Sequence, residues 1–367
     1  MADWLTMPKE PSPQSLTRRS LMIGAAAGAG LALAAPAASA AAGRGNRRVP
    51  FGAAVERNAF DGDPAYAALI VKHCDLIFPM NALKWDSLRY ERDVFNFAPA
   101  DRIVGLAASL DRRSHGHTYV WYEALPAWLE AMEDPLEVER VLTEHIERTG
   151  SHYAGRLESW DVVNEVIAFD PRSEGMWRSG FWHDRLGPRH VEIAFRAARQ
   201  ADPAALLGIN DFDLEFAGER YALRRRHVLD LVRHLQDMNL DVDYVGFQGH
   251  LYPEIPIDAV ATGRFIRDLE ALGVRYMITE LDVVDWKLPV DPRRRDLMAA
   301  AHVDDFLDAA FSAALPISLS TWGLSDRYSW ISEVMPHRQG AKNRPLPFDE
   351  QLRPKLMFEV IERYLAA

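Results

Sequence analysis

The segment DPLEVERVLTEHIERTGSHY (Asp134–Tyr153), followed closely by LESWDVVNE (Leu157–Glu165), couples an amphipathic helix to a short buried strand. Asp134 is suited to cap the helix, Pro135 to open it, and Glu137 to complete a capping box. Val138, Val141, Leu142, His145 and Ile146 recur at i, i+3, i+4, i+7 and i+8, which is one face of a helix. The apolar run Leu157–Val163 then reads as a strand, and it ends on two polar residues, Asn164 and Glu165.

The same alternation extends in both directions. Strands are predicted at Phe51–Val55, Cys74–Phe78, His117–Trp121, Leu157–Val163, Leu206–Ile209, Tyr244–Phe247, Tyr276–Thr279 and Ile317–Thr321. A second helix aligns Val228, Leu231, Val232 and Leu235, and a third ends at Leu272-Gly273, where glycine can adopt the left-handed C-cap conformation. Eight such units over residues 51–367 predict an α/β fold, a single (β/α)8 TIM barrel. A doubly wound open sheet remains the alternative, because periodicity does not close a barrel. The basic triplets Arg224–Arg226 and Arg293–Arg295 read as solvated helix faces and helix-end charges.

Upstream of the barrel, Arg18-Arg19 precede a Gly/Ala/Leu run that ends at Ala38-Ser39-Ala40, a small-x-small cleavage pattern. Residues 1–40 are expected to be a twin-arginine (Tat) signal peptide and 41–50 a linker, giving a periplasmic or secreted protein that uses the Tat machinery as precursor. An uncleaved anchor is the lesser reading, because Gly and Ala contribute little transfer energy. The 367 residues carry 42 Lys and Arg against 53 Asp and Glu, a net charge of −11, which disfavours a dedicated nucleic-acid binder. The single cysteine, Cys74, excludes an intrachain disulfide and a cysteine-based zinc site.

In a barrel, chemistry sits where strands end. Glu165 follows the fourth predicted strand and Glu280 the seventh, and two carboxylates across one cleft are the minimum set for glycoside hydrolysis. One must donate a proton to the leaving oxygen while the other stays ionised, so their environments must differ. From spacing alone, a rim salt bridge is the better explanation of either glutamate.

The motifs change that balance. WDVVNE (Trp160–Glu165), ITELDV (Ile278–Val283), GFQGHL (Gly246–Leu251), TWGLSDRYSW (Thr321–Trp330), GHTYVW (Gly116–Trp121), Lys84-Trp85-Asp86 and Asn210-Asp211-Phe212 occur in an order that resembles glycoside hydrolase family 10, the retaining endo-β-1,4-xylanases. The resemblance spans about Phe51 to Tyr364. It implies Glu165 as general acid/base and Glu280 as nucleophile, with no cofactor and no metal. Asn164 would bind the 2-hydroxyl of the reacting sugar; Gln248 and His250 would line the same subsite. Asp282 would orient His250, and Asp161 would tune Glu165. Trp322 and Trp330 would pack on sugar faces. Asn81, Lys84, Trp85 and Tyr122 would belong to the glycone side.

Three positions depart from the family pattern: Met80 replaces a glutamate, Tyr122 a histidine and Ala124 a glutamine. All lie on the glycone side, so an altered sugar preference is expected beside intact chemistry. The partner implied is xylan or a related β-glycan, acted on by a protein expected to be monomeric. Cleavage of another β-linked polysaccharide, such as a bacterial exopolysaccharide, is the alternative. A non-catalytic polysaccharide-binding barrel ranks lower because both glutamates are present. A metal-dependent barrel hydrolase ranks low as well, because the histidines show no ligand-like cluster.

Overall fold

The computed structural model describes residues 47–366, so the expected signal peptide and most of the expected linker lie outside the described residues. Residues 47–50, placed in the linker on composition, are packed: Val49 is buried, and Arg47 donates to the His73 carbonyl at 2.7 Å and to Asp75 at 2.9 Å. The packed domain therefore starts earlier than expected, because an arginine with a nearby carboxylate can be drawn onto the surface of a fold.

Among the described residues, eight barrel strands alternate with eight main helices. The strands are β1 (Phe51–Val55), β2 (Leu76–Pro79), β3 (His115–Val120), β4 (Ser159–Asn164), β5 (Leu206–Asp211), β6 (Tyr244–Phe247), β7 (Arg275–Val283) and β8 (Leu319–Thr321). The helices that follow them in turn are α1 (Pro64–His73), α2 (Ala98–Ser109), α3 (Pro135–Tyr153), α4 (Arg189–Ala201), α5 (Glu219–Asp237), α6 (Ala259–Ala271), α7 (Pro292–Phe311) and α8 (Leu356–Ala366). All strand pairs are parallel, in the order β2-β1-β8-β7-β6-β5-β4-β3. The two ends of that path are joined. Ile77 N–H donates to the Arg113 carbonyl and Arg113 N–H to the Asp75 carbonyl, both at 3.0 Å, beside a parallel bridge between Leu76 and Arg113. The sheet is therefore a closed barrel, and the open-sheet alternative is set aside.

The helix that anchored the sequence reading forms as expected. Asp134 caps α3 by accepting from Leu136 N–H at 3.0 Å, and Val138, Val141, Leu142, His145 and Ile146 are all buried. Glu137, however, pairs with Arg92 on a neighbouring segment. Gly273 closes the turn after α6 at φ 76°, the left-handed conformation expected of it.

The basic triplets are only partly solvated faces: Arg226, Arg293 and Arg294 are exposed as expected, and the other three are not. Arg224, Arg225 and Arg295 are buried. The Arg224 guanidinium binds the Asp211 carboxylate and the carbonyls of Phe212 (3.1 Å) and Ala168 (2.5 Å). It thus ties the end of β5 to the loop that leaves Glu165. A buried charge is tolerated when a carboxylate and several carbonyls satisfy it.

Strand β7 is longer than expected. The two-residue segment His250–Leu251 pairs with Asp282–Val283 and extends the strand through Glu280. Glu280 is therefore held within a strand instead of on a loop. Among the described residues no helix is long and apolar enough to cross a membrane.

Candidate active site

Glu165 is the first residue after β4. Its backbone sits in the left-handed region at φ 58°, an uncommon conformation for a residue with a side chain. Two hydrogen bonds hold it there: Glu165 N–H donates to the Asn210 carbonyl, and Arg178 Nε donates to the Glu165 carbonyl, both at 2.9 Å. The carboxylate is buried. Oε1 accepts from Gln248 Nε2 at 3.0 Å and from Asn164 Nδ2 at 3.3 Å. Oε2 is buried and has no partner among the described residues.

Glu280 is held at both oxygens. Oε1 accepts from Asn210 Nδ2 at 2.6 Å, and Oε2 lies 3.3 Å from His250 Nε2. Burial would raise the Glu280 carboxyl, but the hydrogen bond from His250 and the charges of His117 and His250 outweigh it, and the group is held below the ordinary glutamate value. His250 is in turn bonded through Nδ1 to Asp282 Oδ1 at 2.8 Å. Burial disfavours its cationic form, but Asp282 and Glu280 reverse this and raise it well above the usual histidine value. Trp330 Nε1 completes the chain by donating to Asp282 Oδ2 at 2.8 Å.

The two glutamates share one network through Asn210. Its Nδ2 reaches Glu280 and also Asn164 Oδ1 at 2.9 Å, while its Oδ1 accepts from Thr279 Oγ1 at 2.7 Å. The neighbouring strand must carry glycine at Gly246: a Cβ there would stand 2.2 Å from Asn210 Oδ1. Gln248 Nε2 closes the loop by donating to Asn164 Oδ1 at 3.2 Å.

The structure brings most expected site residues together and moves others. Asn164, Gln248, His250, Asp282 and Trp330 surround the carboxylates as described. Lys84 is half-buried near them, its Nζ 4.5 Å from the Trp121 ring centroid and 5.5 Å from that of Trp322. Burial lowers its ammonium, opposed by the charges of Glu280 and Glu165. Trp322 is buried and packs T-shaped against His117, 5.0 Å between centroids. Tyr122 lines a small pocket with Trp121, Asn164, Glu165 and Arg178, whose guanidinium lies 4.5 Å over its ring. Asn81 donates to Glu56 Oε1 at 2.5 Å.

Two assignments are corrected. Trp85 does not face the cleft: it is 2% exposed, donates its indole N–H to the Tyr119 carbonyl at 2.7 Å and stacks on His145 at 3.6 Å. Trp85 opens a short helix, Trp85–Leu88, and that turn points it into the layer between sheet and α3. Asp161 does not tune Glu165. Its partners are His115 Nε2 (3.0 Å), His117 Nδ1 (2.9 Å) and the Tyr244 hydroxyl (2.8 Å). His117 Nδ1 lies 4.0 Å from Glu280 Oε1, so Asp161 acts on the nucleophile side. Burial opposes ionisation of Asp161, but the two histidines hold it well below the usual aspartate value.

Asn210, His117, Trp121 and Arg178 were missed as site residues. Asn210 and Asp211 end a strand otherwise apolar, and polar residues there are a signal for the open end of a barrel. His117, Asp161 and Glu280 each present an atom within 4.8 Å of the others, a spacing that a cation could bridge. The His117 and Asp161 atoms already bond each other, and the carboxylate chemistry below uses no ion.

Comparison with known proteins agrees with this geometry. The description of Glycosyl hydrolase family 10 matches residues 39–364. Endo-1,4-beta-xylanase C of Phanerodontia chrysosporium is 31% identical over 320 residues, covering 86% of this chain and 75% of that protein. Endo-1,4-beta-xylanase of Agaricus bisporus is 31% identical, covering 85% and 89%. Native xylanase 10B of Thermotoga maritima superimposes with a TM-score of 0.78 at 30% identity, covering 86% of this chain and 94% of that one. Xylanase 10B of Thermotoga petrophila, solved with xylobiose, gives 0.78 at 29%, with the same coverage.

The hydrogen bond from His250 has a kinetic signature. Replacing it in His250→Asn removes one of the groups that keep Glu280 ionised, while burial continues to favour the neutral acid. The acid limb of kcat/KM, which reports the free enzyme, is expected to move to higher pH, with the native fold kept by circular dichroism. An unmoved limb contradicts this role. With the fold, the paired carboxylates and the family match in agreement, the chain belongs to glycosyl hydrolase family 10 and is a glycoside hydrolase of the xylanase type.

Proposed function

We propose that the protein is a retaining endo-1,4-β-xylanase that cuts internal bonds of xylan by double displacement. The observation that carries this reading is the unequal setting of the two carboxylates within one network. Glu280 is held at both oxygens and kept ionised, as a nucleophile must be. Glu165 receives both of its donors at Oε1, which leaves the buried, unpartnered Oε2 to carry a proton to the leaving oxygen. Attack by Glu280 on the anomeric carbon breaks the glycosidic bond as Glu165 protonates the departing oxygen. Glu165 then deprotonates a water that displaces Glu280 from the same carbon. Asn164 and Gln248 orient Glu165, and Gln248 Oε1, also buried and unpartnered, is available to a sugar hydroxyl.

Met80 favours a second substrate reading. It is buried with Ala54, Leu76 and Phe78 against Trp322, giving an apolar floor where the family usually has a carboxylate. A hydrolysis screen over defined β-glycans, with product analysis, separates xylan from another β-linked polysaccharide.

The assignment of the two glutamates is tested with azide. In Glu280→Ala, azide occupying the vacated space attacks once and gives the α-glycosyl azide. In Glu165→Ala with an activated aryl substrate, Glu280 still forms the intermediate and azide gives the β-glycosyl azide. Each variant should lose at least about a hundredfold in turnover on xylan without azide. Exchange of the two product anomers contradicts the assignment.

We further propose that the precursor is exported by the Tat route, on the strength of Arg18-Arg19 before the Gly/Ala-rich run. Changing both arginines to lysine should leave folded precursor in the cytoplasm. Unimpaired export of that variant contradicts the Tat assignment.

A further inference from the structure

Glu56 and Met80 leave neighbouring strands at the same level. Val55 and Pro79 are register partners in β1 and β2, and Met80 N–H donates to the Val55 carbonyl at 3.1 Å. Met80 turns into the apolar cluster under Trp322 and offers no oxygen. Glu56, beside it, is half-buried and keeps its carboxylate at the open end of the barrel. Its Oε1 accepts from Asn81 Nδ2 at 2.5 Å, and Oε2 accepts no hydrogen bond among the described residues. The Glu56 charge acts on the Lys84 ammonium, as do those of Glu165 and Glu280. Lys84 lies in turn over Trp121 and Trp322.

One wall beside the catalytic pair thus carries a carboxylate, an amide, an ammonium and two indoles. A carboxylate oxygen with free lone pairs accepts strong hydrogen bonds from adjacent hydroxyls, which thioether sulfur does not. From this juxtaposition we propose that Glu56 is a specificity-determining residue: its carboxylate, supplied one strand away from position 80, binds the vicinal hydroxyls of the pyranose next to the reacting sugar. The Asn81 amide fixes the carboxylate in place, and Met80 supplies apolar packing beneath Trp322. This rests on the glycosidase reading above. It also implies that Met80 alone does not empty that wall of a hydroxyl acceptor.

The test compares an aryl β-xylobioside, which places a sugar beyond the reacting one, with the matching aryl β-xyloside, which does not. The readout is the ratio of their kcat/KM values. Glu56→Gln removes the charge while keeping the shape, and Glu56 makes no side-chain cap to the helix Arg57–Gly62 that it precedes. The variant should lower the ratio about tenfold, chiefly through KM for the xylobioside. Met80→Glu in the Glu56→Gln background should recover most of that loss. The same change in wild type should raise the ratio by less than about twofold, because two like charges would then compete for one set of hydroxyls. Thermal unfolding of each variant checks the fold. A ratio unchanged in Glu56→Gln, or a roughly tenfold gain from Met80→Glu alone, overturns the inference and leaves the enzyme reading intact. Wild type inactive on both substrates overturns the xylanase reading and this inference with it.

Discussion

The Asn210 side-chain amide is the contact on which the catalytic end of this barrel depends. It is fully buried, and its one amide group serves Glu280, Asn164 and Thr279 together. Because Nδ2 points at Asn164 Oδ1, the Asn164 amide is oriented with its own Nδ2 toward Glu165. That orientation directs donors to Oε1 of the acid and away from Oε2. A single amide on β5 therefore holds one oxygen of Glu280 and, through Asn164, helps direct the donors of Glu165 to one oxygen. The space it needs explains Gly246, whose place on β6 admits no side chain. A network in which each member's orientation is fixed by the next is rigid, and a rigid polar site stabilises developing charge without reorganising.

Around this amide the charges are arranged asymmetrically. The nucleophile side carries His117 and His250, each backed by an aspartate, Asp161 or Asp282. These two pairs oppose the burial that would otherwise neutralise Glu280. The acid side carries neutral donors, Asn164 and Gln248, and Glu165 has no ion-pair partner among the described residues. Ionic support on one side and amide support on the other is how two chemically identical side chains acquire different work.

The barrel was legible because its signals are local. The Asp134 cap of α3, the apolar faces of α3 and α5 and the glycine after α6 are properties of single segments, and they form as read. Both glutamates were found because each follows or ends an apolar run. The misplaced residues depend on partners far along the chain. Arg224 looks like a surface charge until Asp211, on the preceding strand, and the Ala168 carbonyl, in the loop after Glu165, close on it. Trp85 is adjacent to Lys84, yet a four-residue helix has too few positions to show which face is buried. Asp161 lies four residues from Glu165, but its partners come from β3 and β6, and only the closed barrel reveals that it serves Glu280.

The central claim is that Glu280 forms a covalent bond to the sugar and that Glu165 serves both steps. The stereochemistry of the first product reads this directly. Proton NMR during the first minutes of hydrolysis of a β-1,4-xylo-oligosaccharide should show the β-anomer of the new reducing end appearing first, with the α-anomer growing in later by mutarotation. If the α-anomer appears first, water attacks the anomeric carbon in a single inverting step, and the assignment of Glu280 as nucleophile is wrong.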